Sequence, residues 1–120
     1  MDRIVIPVAD ERGVSLSDHF GRAPYFAWYE IEAGKIVDKG IIQNESEHFG
    51  GSGNPPDRIL QLKPNALITF GMGPRALNIF QNANVAVLRA NAGTVEEVIR
   101  AYSNDELEEL TEGCHQARHR

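Results

Sequence analysis

Apolar positions along the chain follow two rhythms. In the first third they come as short runs rich in β-branched and aromatic residues, the pattern of strands. "RIVIPVAD", closed by Asp10 and Gly13, predicts a strand over about 3–9. "YFAWYEIE" (25–32) predicts a second and "KIVDKGIIQN" (35–44) a third. The tight "AGKI" turn between the last two favours an antiparallel hairpin. No crossover helix separates the first strand from the second, so these two are also expected to be antiparallel.

After a glycine-rich break the rhythm changes. In "GGSGNPPDRILQLKP", Asn54 can cap a helix that Pro55 and Pro56 open, with Ile59, Leu60 and Leu62 as its apolar face. "NALITF" (65–70) is a continuous apolar run, as in a strand covered on both faces. "GMGPRALNIFQNA" (71–83) turns through glycines into a helix with Ala76, Leu77, Phe80 and Ala83 at helical spacing. "VAVLRA" (85–90) is a fifth strand. "TVEE" (94–97) is a capping box, and "SNDE" (103–106) repeats the device before Leu107 and Leu110, with Gly113 closing a last helix. The predicted order is β-β-β-α-β-α-β-α-α. This is an α/β fold with a mixed five-stranded sheet, three antiparallel strands and then parallel βα units, flanked by helices. Residues 1–112 are expected to form a single domain and 113–120 a mobile tail.

This order has a consequence for function. If strand 2 opposes strands 1 and 3, and right-handed crossovers set strands 4 and 5 parallel to strand 3, four connections leave one edge of the sheet. They are 10–24, 44–54, 71–74 and 90–94, at the carboxyl edge, where open α/β sheets bind ligands. His-Phe-Gly occurs on two of them, at His19-Phe20-Gly21 and His48-Phe49-Gly50. The third carries Met72 and the amide groups of a helix start, which suit an anion. Arg22 and Arg75 add positive charge. Two imidazoles and a thioether favour a transition metal over magnesium or calcium. Phe20 is read as an anchor for its loop, and Gly21 as supplying a backbone conformation closed to other residues. Cys114 and His115, with His119, form a further candidate metal site in the tail, short of a four-ligand zinc signature.

The bulk numbers remove several classes. The chain has 120 residues, 42% of them apolar, enough for a real core. A net charge of −5 without a basic run argues against nucleic-acid binding, and no apolar stretch approaches a membrane span. One cysteine excludes an internal disulfide and fits a reducing cytoplasm.

The ordered set "IVIPVAD", "SDHFGRAPYF", "GGSGNPPDRI", "LITFGMGPRALNIF" and "GTVEEVI" resembles the dinitrogenase iron–molybdenum cofactor biosynthesis family over about residues 1–102. The resemblance implies a small cluster-carrier domain of ribonuclease H-like, three-layer architecture. It implies binding or transfer of an iron–sulfur or molybdenum-containing cluster, without enzymatic turnover, between a donor and an acceptor protein. The family's His-Phe-Gly motif falls on His19, Phe20 and Gly21, so His19 inherits a cluster-binding role. Its second glycine-rich turn falls on Gly71, Met72, Gly73 and Pro74. His48, Cys114 and His115 are not family motif positions. The chain is expected to be a monomer or a homodimer; a cluster bridging two subunits needs one cysteine from each.

Two other functions stand beside the carrier. A small-molecule or nucleotide-binding regulatory module would use "GMGPRA", a fragment that lacks the full dinucleotide fingerprint and the Lys-Ser/Thr pair of a P-loop. A nuclease would need several carboxylates around paired metals. Asp10 and Asp38 are candidates, and "NALITF" supplies none.

Overall fold

The computed structural model describes residues 2–44 and 55–110. Five strands form one sheet: β1 (Asp2–Val8), β2 (Tyr25–Glu32), β3 (Lys35–Gln43), β4 (Ala66–Thr69) and β5 (Ala86–Arg89). Their spatial order is β3-β2-β1-β4-β5. The β1–β2 and β2–β3 pairs are antiparallel, and β1–β4 and β4–β5 are parallel, as the pattern predicted. Ala33 and Gly34 turn β2 into β3 with φ of 55° and 79°. Positive φ at both positions is what a two-residue primed turn requires.

Helices cover both faces. α3 (Val95–Ser103) lies on one, where Val95, Val98 and Ile99 pack against Ile4, Ile6 and Ile68. α1 (Pro55–Leu60) and α2 (Pro74–Asn82) lie on the other, where Ile59, Leu77 and Phe80 meet Val5, Phe26 and Leu67. The central strands β1 and β4 face a helix on each side, which explains their unbroken apolar runs. The result is a three-layer α/β arrangement. No helix among the described residues is long and apolar enough to cross a membrane.

One arm of the capping box forms at α3: the Thr94 hydroxyl accepts from the Glu97 N–H at 3.3 Å. The Glu97 carboxylate turns to the Thr94 hydroxyl at 2.7 Å, and Glu96 and Glu97 suit the positive end of the helix dipole.

The second capping box does not form. Ser103 is the last helical residue, Asn104 is the C-cap, and Asp105 sits at φ 61°. No helix follows among the described residues. The chain instead runs beside β5, with Arg89 N–H donating to the Glu108 carbonyl and Leu110 N–H to the Val87 carbonyl, each at 2.7 Å. This pairing closes the β5 edge and buries Leu110 on the α2 face. The two leucines taken for one helical stripe part instead, Leu107 packing on the α3-face core and Leu110 on the α2-face core.

Asp10, one of the carboxylates weighed for a nuclease, is occupied by its own loop. Its carboxylate accepts the N–H groups of Arg12, Val14 and Ser15 at 3.0–3.2 Å. These bonds, Val14's first, hold the Asp10 pKa below its ordinary value. A depressed carboxylate stabilises the fold above its unfolded pKa, and the contribution disappears as pH falls through the folded value. Asp10→Asn should therefore lower the melting temperature at pH 7, and the gap to the wild type should close as the pH is taken toward 2, as thermal unfolding across that range would show.

Candidate functional site

Val8, at the end of β1, pairs with Tyr25 on one side and with Leu16 on the other. The chain therefore doubles back after β1 before reaching β2. Ala9 N–H donates to the Ser15 carbonyl and Ser17 N–H to the Pro7 carbonyl. Residues 18–24 then cross the carboxyl end of β1 toward β2. Phe20 fixes that crossing. It is 5% exposed, with its ring 5.7 Å from Phe26 and 5.7 Å from Phe80, the second contact edge-on at 86°. The anchor expected of Phe20 is what the structure shows.

Two polar side chains hold the loop backbone. The buried Ser17 hydroxyl donates to the His19 carbonyl at 3.0 Å and accepts from the His19 N–H at 3.3 Å. Asn44, just past β3, donates from its side-chain amide to the carbonyls of Gly21 and Ala23, at 3.2 and 2.8 Å. Nothing in the local sequence marked either residue. Their roles depend on the reversal at 15–17 and on where β3 ends.

The loop forms one wall of a cavity of about 590 Å³ at the carboxyl edge. Asp18, His19, Gly21 and Arg22 line that wall, and Gly71, Met72 and Gly73 line the opposite one. Phe20 and Ala76 contribute apolar surface, as do Pro56 and Phe70, neither of which the sequence placed at the site. Phe70 ends the "NALITF" run, and the strand stops one residue before it, leaving its ring 37% exposed at the cavity.

His19 and Arg22 are exposed and in contact: one guanidinium nitrogen lies 3.3 Å from Nε2 and 3.5 Å from Nδ1. Across the cavity, Gly73 caps α2 without a side-chain hydrogen bond, Pro74 opens the helix, and the first turn has no acidic residue. No side-chain cap takes up the amide groups of that turn. Met72 is buried, and the Thr69 hydroxyl donates to the Gly71 carbonyl at 3.3 Å, fixing the turn.

Other predictions come out differently. Gly21 does not have a positive φ, contrary to the conformational reason expected for it. Among the described residues beyond its chain neighbours, a methyl group on Gly21 or on Gly73 would meet nothing within 4 Å. Among the described residues their missing side chains relieve no clash; they leave room on the cavity walls. Pro74 and Arg75 begin α2 but do not line the cavity. Of the four connections at this edge, 90–94 turns away, donating no wall and pairing instead with Ser15 and Leu16. His48, Cys114, His115 and the glycine-rich 49–54 stretch lie outside the described residues. Among the described residues no group of three or more His, Cys, Asp or Glu is placed to hold a metal ion.

A family model described as dinitrogenase iron–molybdenum cofactor matches residues 2–105. The chain belongs to this family. Membership associates it with the biosynthesis or carriage of that class of cofactor. An uncharacterized protein of Methanocaldococcus jannaschii is 32% identical over 110 residues, covering 90% of this chain and 91% of the relative. An NMR structure of a Thermotoga protein, named provisionally as a NifB protein of the DUF35 family, is 34% identical with a TM-score of 0.73, over 92% of this chain and 95% of that one. The apo form of the orange protein from Desulfovibrio gigas is alike in fold, with a TM-score of 0.80 at 18% identity, over 94% and 96% of the two chains.

Proposed function

We propose that this family member binds and hands on a preassembled, anionic metal–sulfur cluster, iron–sulfur or molybdenum-containing, without chemical turnover. The observation that carries the reading is the cavity between His19–Arg22 and the uncapped start of α2. His19 is the one histidine or cysteine on its described walls, and a bare ion needs three or four ligands. One imidazole, a guanidinium and helix-start amides suit a cargo that brings most of its own ligands and carries negative charge. His19 would coordinate a metal or donate to a sulfide, and Arg22 would offset charge. Gly21 and Gly73 leave backbone exposed for close approach. A cluster-donating and a cluster-accepting protein complete the cycle, and a cytoplasmic setting fits the single cysteine.

The test is anaerobic reconstitution with ferrous iron, molybdate and sulfide, followed by gel filtration and metal and sulfide analysis. The wild type should retain a visible-region chromophore. His19→Ala and Arg22→Ala should each hold it about tenfold less tightly, the loss of one bond to a charged group. Gly21→Ala should melt no lower than the wild type yet bind less, because no described part of the chain beyond its neighbours meets the added methyl and the cargo does. Equal retention by wild type and His19→Ala would remove this reading. Strong thermal stabilisation by a single nucleotide would give the cavity to the regulatory alternative.

A further inference from the structure

The two edges of the sheet are finished differently. Residues 108–110 pair along β5. β3, the longest strand at nine residues, has no described chain beyond it. Its side chains are unusually apolar for an open edge: Ile36, Val37 and Ile41 are 45, 52 and 37% exposed. On the α3 face the edge borders a groove of about 580 Å³, on the far side of the sheet from the His19 cavity, whose apolar surface includes Val14, Ile36, Ile41 and Ile99. Arg12 and Lys39 also line it, and neither side chain has an ion-pair partner among the described residues. Glu96, the groove's acidic residue, is already bonded to Arg100 at 3.4 Å.

We infer that the β3 edge is a docking site for an extended segment of another protein, added as an antiparallel sixth strand, with an acidic residue between two apolar ones at alternate positions. The register sets that spacing. Lys39 lies opposite Tyr29, Ile41 opposite Ala27 and Ile36 opposite Ile31, all on the α3 face. The bulge at Glu30/Ile31 lets two residues of β3 face one of its neighbour, so an incoming strand meets Ile41, Lys39 and Ile36 at every second residue. Main-chain bonds give such a strand affinity, and the groove selects its side chains.

Charge argues against the last ten residues of the chain and against a second copy in full overlap. The chain's last ten residues carry Arg118 and Arg120 against the single Glu112, the wrong sign for Arg12 and Lys39. A second copy on the same edge, in the register of full overlap, sets Lys39 against Lys39. One-residue shifts set Asp38 against Asp38, or glycine against glycine with Ile41 facing Lys39 and Ile42 facing Asp38.

The experiment uses labelled nine-residue peptides carrying Ile-x-Glu-x-Ile on a threonine background, and the same peptides with Lys for Glu. Fluorescence anisotropy should show the glutamate peptide binding at least about tenfold more tightly than the lysine one. Lys39→Glu should reverse that order while cluster retention stays that of the wild type. Amide chemical shifts should move along 36–42 and not at 18–22. Equal affinity for both peptides, an unchanged order in Lys39→Glu, or shifts confined to the His19 loop would overturn the inference, as would a dimer in sedimentation that Lys39→Glu alters.

Discussion

Phe20→Ala is expected to cost about 3–5 kcal/mol, the range for emptying a buried aromatic site. The ring is 5% exposed and touches two others, so its removal leaves a hole bounded by Phe26 and Phe80, which are fully buried and cannot swing in from solvent. Against a total stability of roughly 5–15 kcal/mol for a domain of this size, that is a large share. The loss should also reach the cavity. Ser17 and Asn44 would still hold the backbone of 19–23, but nothing would press the loop onto α2. Urea unfolding checks the first effect and cluster retention well below the transition checks the second. A double-mutant cycle with Phe80→Ala isolates the edge-on contact, with about 0.5–1.5 kcal/mol of coupling expected. A Phe20→Ala protein as stable as the wild type would mean that the loop is held by its hydrogen bonds alone.

That dependence explains which parts of the molecule could be read from the sequence. Strand runs and turn residues are local, so β1, β2 and the Ala33–Gly34 hairpin follow from their own residues. The shared edge of His19 and Gly71–Gly73 follows from strand direction, a consequence of connection lengths. What stayed hidden depends on distant partners. "SNDE" carries the letters of a helix start, but Ser103 and Asn104 finish α3, and Glu108 to Leu110 follow β5 because an open edge lay beside them. Tertiary pairing overrode a local pattern. Phe70 read as one more residue of a buried strand, since nothing in "NALITF" says where the neighbouring strand ends. Gly21 shows the converse error: a glycine in a loop suggested a special φ, whereas its backbone is ordinary and the space is what it provides.

Gly40→Ala should destabilise the fold by about 1–3 kcal/mol, the usual cost of overpacking. The opposite sign has a physical basis as well. Alanine restricts the unfolded chain more than glycine does, and at a tolerant site that is worth about 0.4–1 kcal/mol in favour of the variant. The steric term decides, because a Cβ at Gly40 would stand 2.6 Å from three atoms of the Trp28 indole across the β2–β3 pair. The indole is not free to step aside. The Arg3 guanidinium lies 5.4 Å from its ring centre and is itself tied to the Glu30 carboxylate and, at 2.6 Å, to the Leu62 carbonyl. Moving Trp28 therefore loosens the contacts that join β1, β2 and the turn after α1. Trp28 is the single tryptophan, so its fluorescence reports both the local shift and global unfolding. In a Trp28→Leu background the penalty should shrink or change sign, because the clash disappears while the entropic gain remains. Gly40→Ala that stabilises the protein with Trp28 in place would show that the indole yields more readily than its Arg3 contact implies.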